Sequence, residues 1–186
     1  KLSFFTRQLI DAASPANCPF TNPEVLRTMI DTNGESVVSG LSNMMADLEK
    51  NQGNLRISMT DETAFTLGKN IAATPGSVVY ENDLMQLIQY APSTKQVYST
   101  PLLLVPAWIN KYYIFDLTAE RSFVRWLVGQ GYTVFVISWV NPDDRLGRKT
   151  FENYLSEGPL TALSVIERIT GTKQTALLGY CLGGTL

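Results

Sequence analysis

Apolar residues in the first part of the chain recur at the three- to four-residue spacing of amphipathic helices. Asn22 followed by Pro23 is a typical helix start. A second helix follows, with apolar positions at Val37, Val38, Leu41, Met44, Met45 and Leu48. Residues 60–63 predict another helix start, and the Thr-Pro-Gly at 74–76 predicts a boundary. We therefore expect a helical N-terminal region over residues 1–75.

After this boundary the pattern changes to short apolar runs, which are typical of strands buried in a sheet. The runs at 77–80 and 84–90 predict two early strands, although the second also fits a helix. The run at 102–105 lies between two prolines and predicts a strand buried on both faces. The β-branched and aromatic run at 133–140 predicts another strand, and 175–178 a last one.

Helical patterns separate the last three of these strands. Thr118 is the predicted cap of one helix, whose apolar stripe is Phe123, Val124, Leu127 and Val128. A longer helical pattern covers 150–170, with a kink expected at Gly158-Pro159. Because strands and helices alternate, residues 76–186 predict an α/β fold with a mainly parallel sheet covered by helices.

Two segments follow predicted strands at the sheet edge where α/β proteins bind ligands, 106–113 and 179–185. The second contains Gly-Tyr-Cys-Leu-Gly, a nucleophile elbow pattern with cysteine in place of the usual serine. Gly179 and Gly183 would let strand and helix approach closely, and Cys181 would occupy the strained turn between them. The start of the next helix would favour its thiolate. The alternative is a small-residue turn in which Cys181 is a buried apolar filler.

Backbone N–H groups at this edge are candidates for stabilising an oxyanion. Leu182, directly after the candidate nucleophile, would supply one, and the loop after the strand at 102–105 would supply the other from Ala107 or Trp108. The Trp108 side chain has the simpler alternative role of covering the sheet edge. Cys18 lacks any comparable context and is expected to be structural.

Composition narrows the classes of function. With 15 Lys+Arg against 17 Asp+Glu, a formal charge of −2 and no basic cluster, the chain lacks the charge pattern of a nucleic-acid-binding protein. Its longest apolar run, 101–109, is far shorter than the ~20 residues that span a bilayer. With no His, neither an imidazole base nor a His-ligated metal can be completed within these residues, and no metal is expected.

The cysteines indicate a cellular compartment, and the chain ends indicate how the sequence relates to a longer protein. Cys18 and Cys181 lie far apart and show no CxxC spacing, which favours a reducing cytoplasm. The sequence begins with Lys1 rather than Met, and Leu186 directly follows a Gly-Gly-Thr. We therefore expect the sequence to be a fragment of a longer protein.

The chain resembles the polyhydroxyalkanoate (poly-3-hydroxybutyrate) synthases, particularly the class I type built from one kind of subunit. Four stretches carry the resemblance: 21–24 (TNPE), 101–117 (PLLLVPAWINKYYIFDL), 135–142 (FVISWVNP) and 179–185 (GYCLGGT). It implies a helical N-terminal region followed by the first part of an α/β-hydrolase-type catalytic domain, truncated after the elbow. The chain departs from the family in having Pro-Ala-Trp where Pro-Pro is typical. It also stops before the family's catalytic Asp and His regions.

The resemblance implies an acyltransferase that polymerises 3-hydroxyacyl-coenzyme A into polyester with release of coenzyme A. Cys181 would carry the acyl group, with a downstream His as base and a downstream Asp assisting the hydroxyl of the incoming monomer. No cofactor beyond the coenzyme A thioester substrate is implied. The implied partners are the growing polyester chain, the granule surface in the cytoplasm and a second copy of the protein. The fragment alone is expected to be inactive.

Two other classes of function fit the same residues. A Cys-dependent α/β hydrolase or thioesterase would share the elbow but release free acid. A non-catalytic module for dimerisation or granule binding would use the helices and part of a sheet without turnover. Analysis of the product of a 3-hydroxyacyl thioester separates these alternatives.

Overall fold

The computed structural model describes residues 2–186, and contacts within the chain divide it into two units, with the second beginning at Glu62. The first unit contains three α-helices among its described residues. They are α1 (Leu2–Ala12), α2 (Pro23–Asp31) and α3 (Glu35–Lys50). No helix among the described residues is long and apolar enough to cross a membrane.

Caps set the ends of these helices. The Asn22 side chain accepts a hydrogen bond from the Glu24 N–H at 2.9 Å, and Pro23 is the first helical residue, which confirms the predicted start of α2. Gly34, at a φ of 87°, separates α2 from α3. This left-handed conformation has no steric cost for glycine, so the chain can turn here between the two helices.

The helix start predicted at 60–63 is wrong. Residues 51–75 are all described, and they form turns and extended segments instead of helix. The Asn70 side chain accepts a hydrogen bond from the Thr66 N–H at 2.6 Å and donates one to the Ala64 carbonyl at 2.9 Å. Side-chain bonds of this kind satisfy backbone groups locally and so compete with helix formation.

A buried carboxylate ties the segment before the sheet to the second unit. Asp116 is 2% exposed and accepts hydrogen bonds from the hydroxyls of Thr74 and Ser122, each at 2.6 Å. The Thr74 N–H donates to the same carboxylate at 3.2 Å. By contacts, residues 62–75 therefore group with the sheet unit, while the predicted domain limits at 75 and 76 stay a prediction.

The second unit is built on a mixed sheet. Its strands are β1 (Gly76–Glu81), β2 (Met85–Tyr90), β3 (Leu102–Val105), β4 (Asp116–Thr118), β5 (Arg121–Ser122), β6 (Val134–Trp139) and β7 (Ala176–Gly179). The main sheet has the order β1-β2-β6-β3-β7, and β4 pairs with β5 separately. The strands β6, β3 and β7 are parallel, as predicted, whereas β1 and β2 join antiparallel, so the sheet is mixed.

The chain moves from β3 to β6 on one side and then crosses to β7 on the other side of β3. Right-handed crossovers in opposite directions place helices on opposite faces of the sheet. One face carries α4 (Phe123–Gly129) and the other α6 (Thr161–Thr170). The α4 cluster includes Leu104, Val124, Leu127, Val134 and Val136, and the α6 cluster includes Leu103, Phe135, Ile137, Trp139, Val165 and Ile166.

Helix α4 begins later than predicted. Ser122 is its cap, since the Ser122 hydroxyl accepts a hydrogen bond from the Arg125 N–H at 2.9 Å. Thr118, the predicted cap, lies instead in β4 and pairs with Arg121. The short β4–β5 hairpin occupies the residues that the pattern assigned to the first turn of the helix, so the prediction of Thr118 as cap is wrong.

The kink in the second helical pattern is confirmed. Helix α5 (Phe151–Leu155) passes through a π-helical turn, Ser156–Leu160, into α6. Pro159 lies in this turn, where its missing N–H breaks the regular α-helical ladder. Gly171 follows α6 at a φ of 71° and ends the helix in the left-handed conformation.

Candidate functional site

Cys181 lies in a strained turn directly after β7. Its φ of 54° is in the left-handed region, which non-glycine residues rarely adopt. The turn continues as a four-residue 3₁₀ helix, Cys181–Gly184. Cys181 is exposed, which does not fit the alternative of a buried filler. The conformation is the one predicted for a nucleophile elbow, while the catalytic role of Cys181 stays a prediction.

The two glycines of the motif lie where no side chain fits. A Cβ on Gly183 would lie 2.1 Å from the Val105 carbonyl oxygen, and one on Gly179 would lie 2.5 Å from the Gly184 Cα. Real Cβ atoms are essentially never found within 3.0 Å of another heavy atom in such contacts. The Tyr180 N–H also donates to the Val105 carbonyl at 3.0 Å. The turn therefore packs backbone to backbone against the end of β3.

The loop after β3 carries the other predicted donors. Among residues 2–186, the N–H groups of Ala107, Trp108 and Leu182 donate to no protein acceptor. Ala107 is fully buried, so its unpaired N–H is costly in the unliganded chain. The structure thus leaves the three predicted oxyanion donors without protein partners, although their role in catalysis is untested.

The Trp108 side chain covers the sheet, as its alternative role predicted. Its ring lies 6.2 Å from that of Phe151 and 5.4 Å from that of Tyr154, centroid to centroid. Both contacts belong to the segment around α5, on the α6 face of the sheet. The side chain of Trp108 is therefore engaged in packing, and only its backbone is available for a role at Cys181.

Trp139 and Gly158 belong to the same region. The sequence pattern predicted a kink at Gly158 but assigned neither residue to the site. Trp139 is 7% exposed, and its indole Nε1–H donates to the Pro106 carbonyl at 2.8 Å. A Cβ on Gly158 would lie 2.4 Å from the Trp139 ring. A tryptophan that ends a buried strand needs an acceptor for its indole N–H, and this requirement was the signal that could have identified Trp139.

The buried Asp116 carboxylate also affects the pKa of two tyrosines in the sheet unit. Burial, followed by the charge of Asp116, raises the pKa of Tyr90 above its usual value. The same two causes, in the same order, raise the pKa of Tyr112. Both phenols are therefore neutral at neutral pH.

A cleft of about 420 Å³ opens at the carboxyl end of β6, beside the loop after β3. Its lining includes Lys111, Tyr112, Ser138, Trp139 and Asn141. The Lys111 ammonium donates to the Asn141 side-chain oxygen. Within the described residues, no group of three or more carboxylate or thiol side chains lies together as a metal site would require.

Comparison with known proteins places the chain in a family. The chain matches the family described as "Poly-beta-hydroxybutyrate polymerase (PhaC) N-terminus" over residues 1–127. It is 52% identical over 186 residues to the "Poly(3-hydroxyalkanoate) polymerase" of Methylorubrum extorquens, covering 100% of this chain and 31% of that protein. It is 46% identical over 186 residues to the "Poly(3-hydroxyalkanoate) polymerase subunit PhaC" of Cupriavidus necator, again covering 100% of this chain and 31% of the relative.

The chain therefore belongs to the poly-beta-hydroxybutyrate polymerase (PhaC) family. A third relative, the "Poly(3-hydroxyalkanoate) polymerase subunit PhaC" of Rhizobium meliloti, is 46% identical over the whole chain, which covers 30% of its length. The sequence thus spans about three tenths of the length of these relatives. The family match ends before Cys181, whereas the alignments with the relatives include it.

Proposed function

We propose that this chain is the N-terminal part of an acyltransferase that polymerises 3-hydroxyacyl-coenzyme A, with Cys181 as nucleophile in an α/β-hydrolase-type site. The observation that carries the proposal is the left-handed Cys181 turn, packed against the end of β3 beside N–H groups that have no protein acceptor. The names of the relatives, which are poly(3-hydroxyalkanoate) polymerases, support the proposed substrate class.

In the first step the Cys181 thiolate attacks the carbonyl carbon of the substrate thioester. A C–S bond forms, and the carbonyl oxygen becomes an oxyanion. The N–H of Leu182 and the N–H of either Ala107 or Trp108 are proposed to stabilise it. Collapse of this intermediate breaks the bond to coenzyme A, which leaves as a thiol after it takes a proton. The exchange converts one thioester into another, so the acyl group stays activated.

In the second step the hydroxyl of a 3-hydroxyacyl group attacks the acyl-cysteine carbonyl. An ester C–O bond forms, the C–S bond to Cys181 breaks, and the hydroxyl proton passes to a base. The family resemblance implies that this base is a His and that an Asp assists the hydroxyl. Both would lie outside these 186 residues, which contain no His. The reaction requires no metal and no cofactor beyond the thioester. The homodimer, the granule surface and the cytoplasmic location are part of the same proposal.

Substitution of Cys181 in the full-length protein tests the nucleophile. Cys181→Ala removes the sulfur at an exposed position, so we expect the fold to persist and acyl loading to disappear. Intact mass measurement after incubation with 3-hydroxybutyryl-coenzyme A detects the acyl-enzyme. The matched control is Cys18→Ala, which changes the other exposed cysteine and should leave loading unchanged. An acyl mass on the Cys181→Ala variant would contradict the proposal.

Cys181→Ser tests whether thiol chemistry is needed. Serine fits the turn, but its hydroxyl is far less acidic and its acyl product is an ester with less driving force for transfer. We expect polymerisation at least ~100-fold slower, with residual turnover shifted toward hydrolysis. Coenzyme A release, polymer and free acid are measured together. Near-parent polymerisation by this variant would contradict the need for a thiol. Free acid as the main product of the parent would favour a hydrolase or thioesterase instead.

A further inference from the structure

The cleft at the carboxyl end of β6 lies where two neighbouring strands send their loops to opposite faces of the sheet. Strands β3 and β6 are adjacent and parallel. The loop after β3 leads to α4 on one face, and the loop after β6 leads through α5 to α6 on the other face. In open α/β sheets, ligands bind in the crevice between loops that diverge in this way. The topology therefore favours the cleft as a binding site.

Both diverging loops contribute side chains to this cleft. Lys111 comes from the loop after β3, and Asn141 comes from the loop after β6. The Lys111 ammonium donates a hydrogen bond to the Asn141 side-chain oxygen, so this bond joins the two loops. Leu67, from the segment before the sheet, adds an apolar wall. The volume of about 420 Å³ lies within the range of sites that hold small ligands.

The charge of the cleft is positive. Among residues 2–186, Lys111 is the one charged residue that lines it, and no Asp or Glu does. Two carboxylates lie next to the lining without being part of it. The Glu81 carboxylate accepts a hydrogen bond from the Gln86 amide at 3.0 Å, and Asp143 is paired with Arg145 at 2.8 Å. An anionic ligand therefore fits the lining of this cleft better than a cationic one.

Asn141 holds the ammonium without cancelling its charge. An amide oxygen is neutral, whereas a carboxylate in the same place would form an ion pair with Lys111. The ammonium has three donors, and the bond to Asn141 uses one of them, so two remain for a ligand. The hydroxyls of Tyr113 and Ser138 line the same cleft and are further hydrogen-bonding groups. Lysine binds phosphate as a point charge, and a phosphate group offers several acceptor oxygens to such donors.

We propose that this cleft is a phosphate subsite for the coenzyme A part of the substrate, with Lys111 as its cation and Asn141 as the residue that holds that cation in place. The proposal rests on the proposed function above, which supplies coenzyme A as the ligand. Cys181 follows β7, on the other side of β3 from β6. Two strand spacings, about 10 Å, separate these strand ends. The pantetheine arm, which links the sulfur of coenzyme A to its phosphates, is long enough to bridge such a separation.

The test compares two substrates with the same reacting thioester. 3-Hydroxybutyryl-coenzyme A carries the phosphates, and 3-hydroxybutyryl-pantetheine lacks them. In the full-length protein, Lys111→Met removes the charge of an exposed side chain and keeps its apolar stem. We expect the ratio of kcat/KM for the coenzyme A thioester to kcat/KM for the pantetheine thioester to fall about 10-fold. The matched control is Lys95→Met, at an exposed lysine in the loop that enters β3, and its ratio should equal that of the parent.

A second variant tests the charge without removing Lys111. Asn141→Asp has nearly the same shape and places a carboxylate beside the ammonium, so it should lower the same ratio. Added salt should also lower the ratio of the parent, and it should lower that of Lys111→Met less. An unchanged ratio for Lys111→Met, or an equal fall for Lys95→Met, would overturn the proposal. An unchanged ratio for Asn141→Asp would overturn the role of Asn141.

Binding measured without turnover separates this proposal from the proposed function. Calorimetry on the full-length Cys181→Ala variant should show coenzyme A binding about 10-fold more tightly than pantetheine. Addition of Lys111→Met should remove this difference. Equal affinities for the two ligands, in a protein whose parent gains an acyl mass on Cys181, would contradict the phosphate subsite alone. Binding of coenzyme A that depends on Lys111, with a parent that gains no acyl mass, would contradict the proposed nucleophile and leave the subsite standing.

Discussion

The two units of this chain use their apolar residues in different ways. In the helical unit, among residues 2–61, the one buried residue is Asp47, and large apolar side chains on all three helices are exposed, such as Leu9, Ile30 and Leu41. In the sheet unit the apolar residues of β3 and β6 are almost entirely buried, and backbone segments meet without room for a methyl group.

A hydrophobic pattern predicts both that an element forms and that its apolar face is buried. The two units show that these are separate requirements. Local signals, such as the Asn22 cap and the glycine at position 34, set the starts of α2 and α3, whose apolar faces remain exposed in this chain. Burial requires a second surface, and in the sheet unit the crossovers of α4 and α6 supply one on each face. Substitutions in the two units should therefore have very different costs.

The largest difference in stability between the units is expected when one glycine in each unit is replaced by alanine. Gly183→Ala in the full-length protein places a Cβ 2.1 Å from the Val105 carbonyl, so β3 and the nucleophile turn must separate. We expect a loss of about 3 kcal/mol or more in the free energy of unfolding, together with loss of acyl loading. Chemical denaturation and intact mass measurement check both effects.

Gly40→Ala is the counterpart in the helical unit. Gly40 lies within α3, and no heavy atom lies within 4 Å of the position that an added Cβ would occupy, so alanine should stabilise the helix by about 0.5–1 kcal/mol. Acyl loading should not change. A stable, active Gly183→Ala variant would show that the close approach at the turn relaxes easily, contrary to this account.

Truncation of one leucine in each unit gives the second comparison of stability. Leu103 is 0% exposed and Leu41 is 53% exposed. Leu103→Ala should cost about 3–4 kcal/mol of unfolding free energy because it leaves a cavity on the α6 face of the sheet. Leu41→Ala should cost less than about 0.5 kcal/mol. Equal costs in urea denaturation of the full-length protein would mean that Leu41 is buried there by another surface.

The smallest effect concerns the buried residue of the helical unit. Hydrogen bonds from the side chain and the backbone N–H of Ser58 hold the pKa of Asp47 below its usual 3.8. A lowered pKa means that the carboxylate contributes stability above pH 3.8, and that this contribution is lost as the pH falls through the folded-state pKa. The Tm difference between the parent and Asp47→Asn should therefore shrink on acidification. A difference that grows would reverse the sign of this linkage.

Local chemistry in the sequence was sufficient to predict much of this structure. Asn22-Pro23 predicted the start of α2, the apolar run at 102–105 predicted β3, and Gly158-Pro159 predicted the break between α5 and α6. The spacing of Gly179, Cys181 and Gly183 predicted the strained turn. In each case the physical cause lies within a few neighbouring residues: a proline that lacks an N–H, a glycine that lacks a side chain, or a run of consecutive apolar side chains.

Two local outcomes were not predicted. Pairing with Arg121 placed Thr118 in a strand instead of at a helix cap, and hydrogen bonds of the Asn70 side chain form a turn close to the predicted helix start. Tertiary contacts decided the rest. The bond between Trp139 and Pro106 joins residues far apart in the chain, so no local spacing could reveal it. Such groups find their partners only when strands meet in a particular order, because a hydrogen bond depends on the positions of both atoms in space.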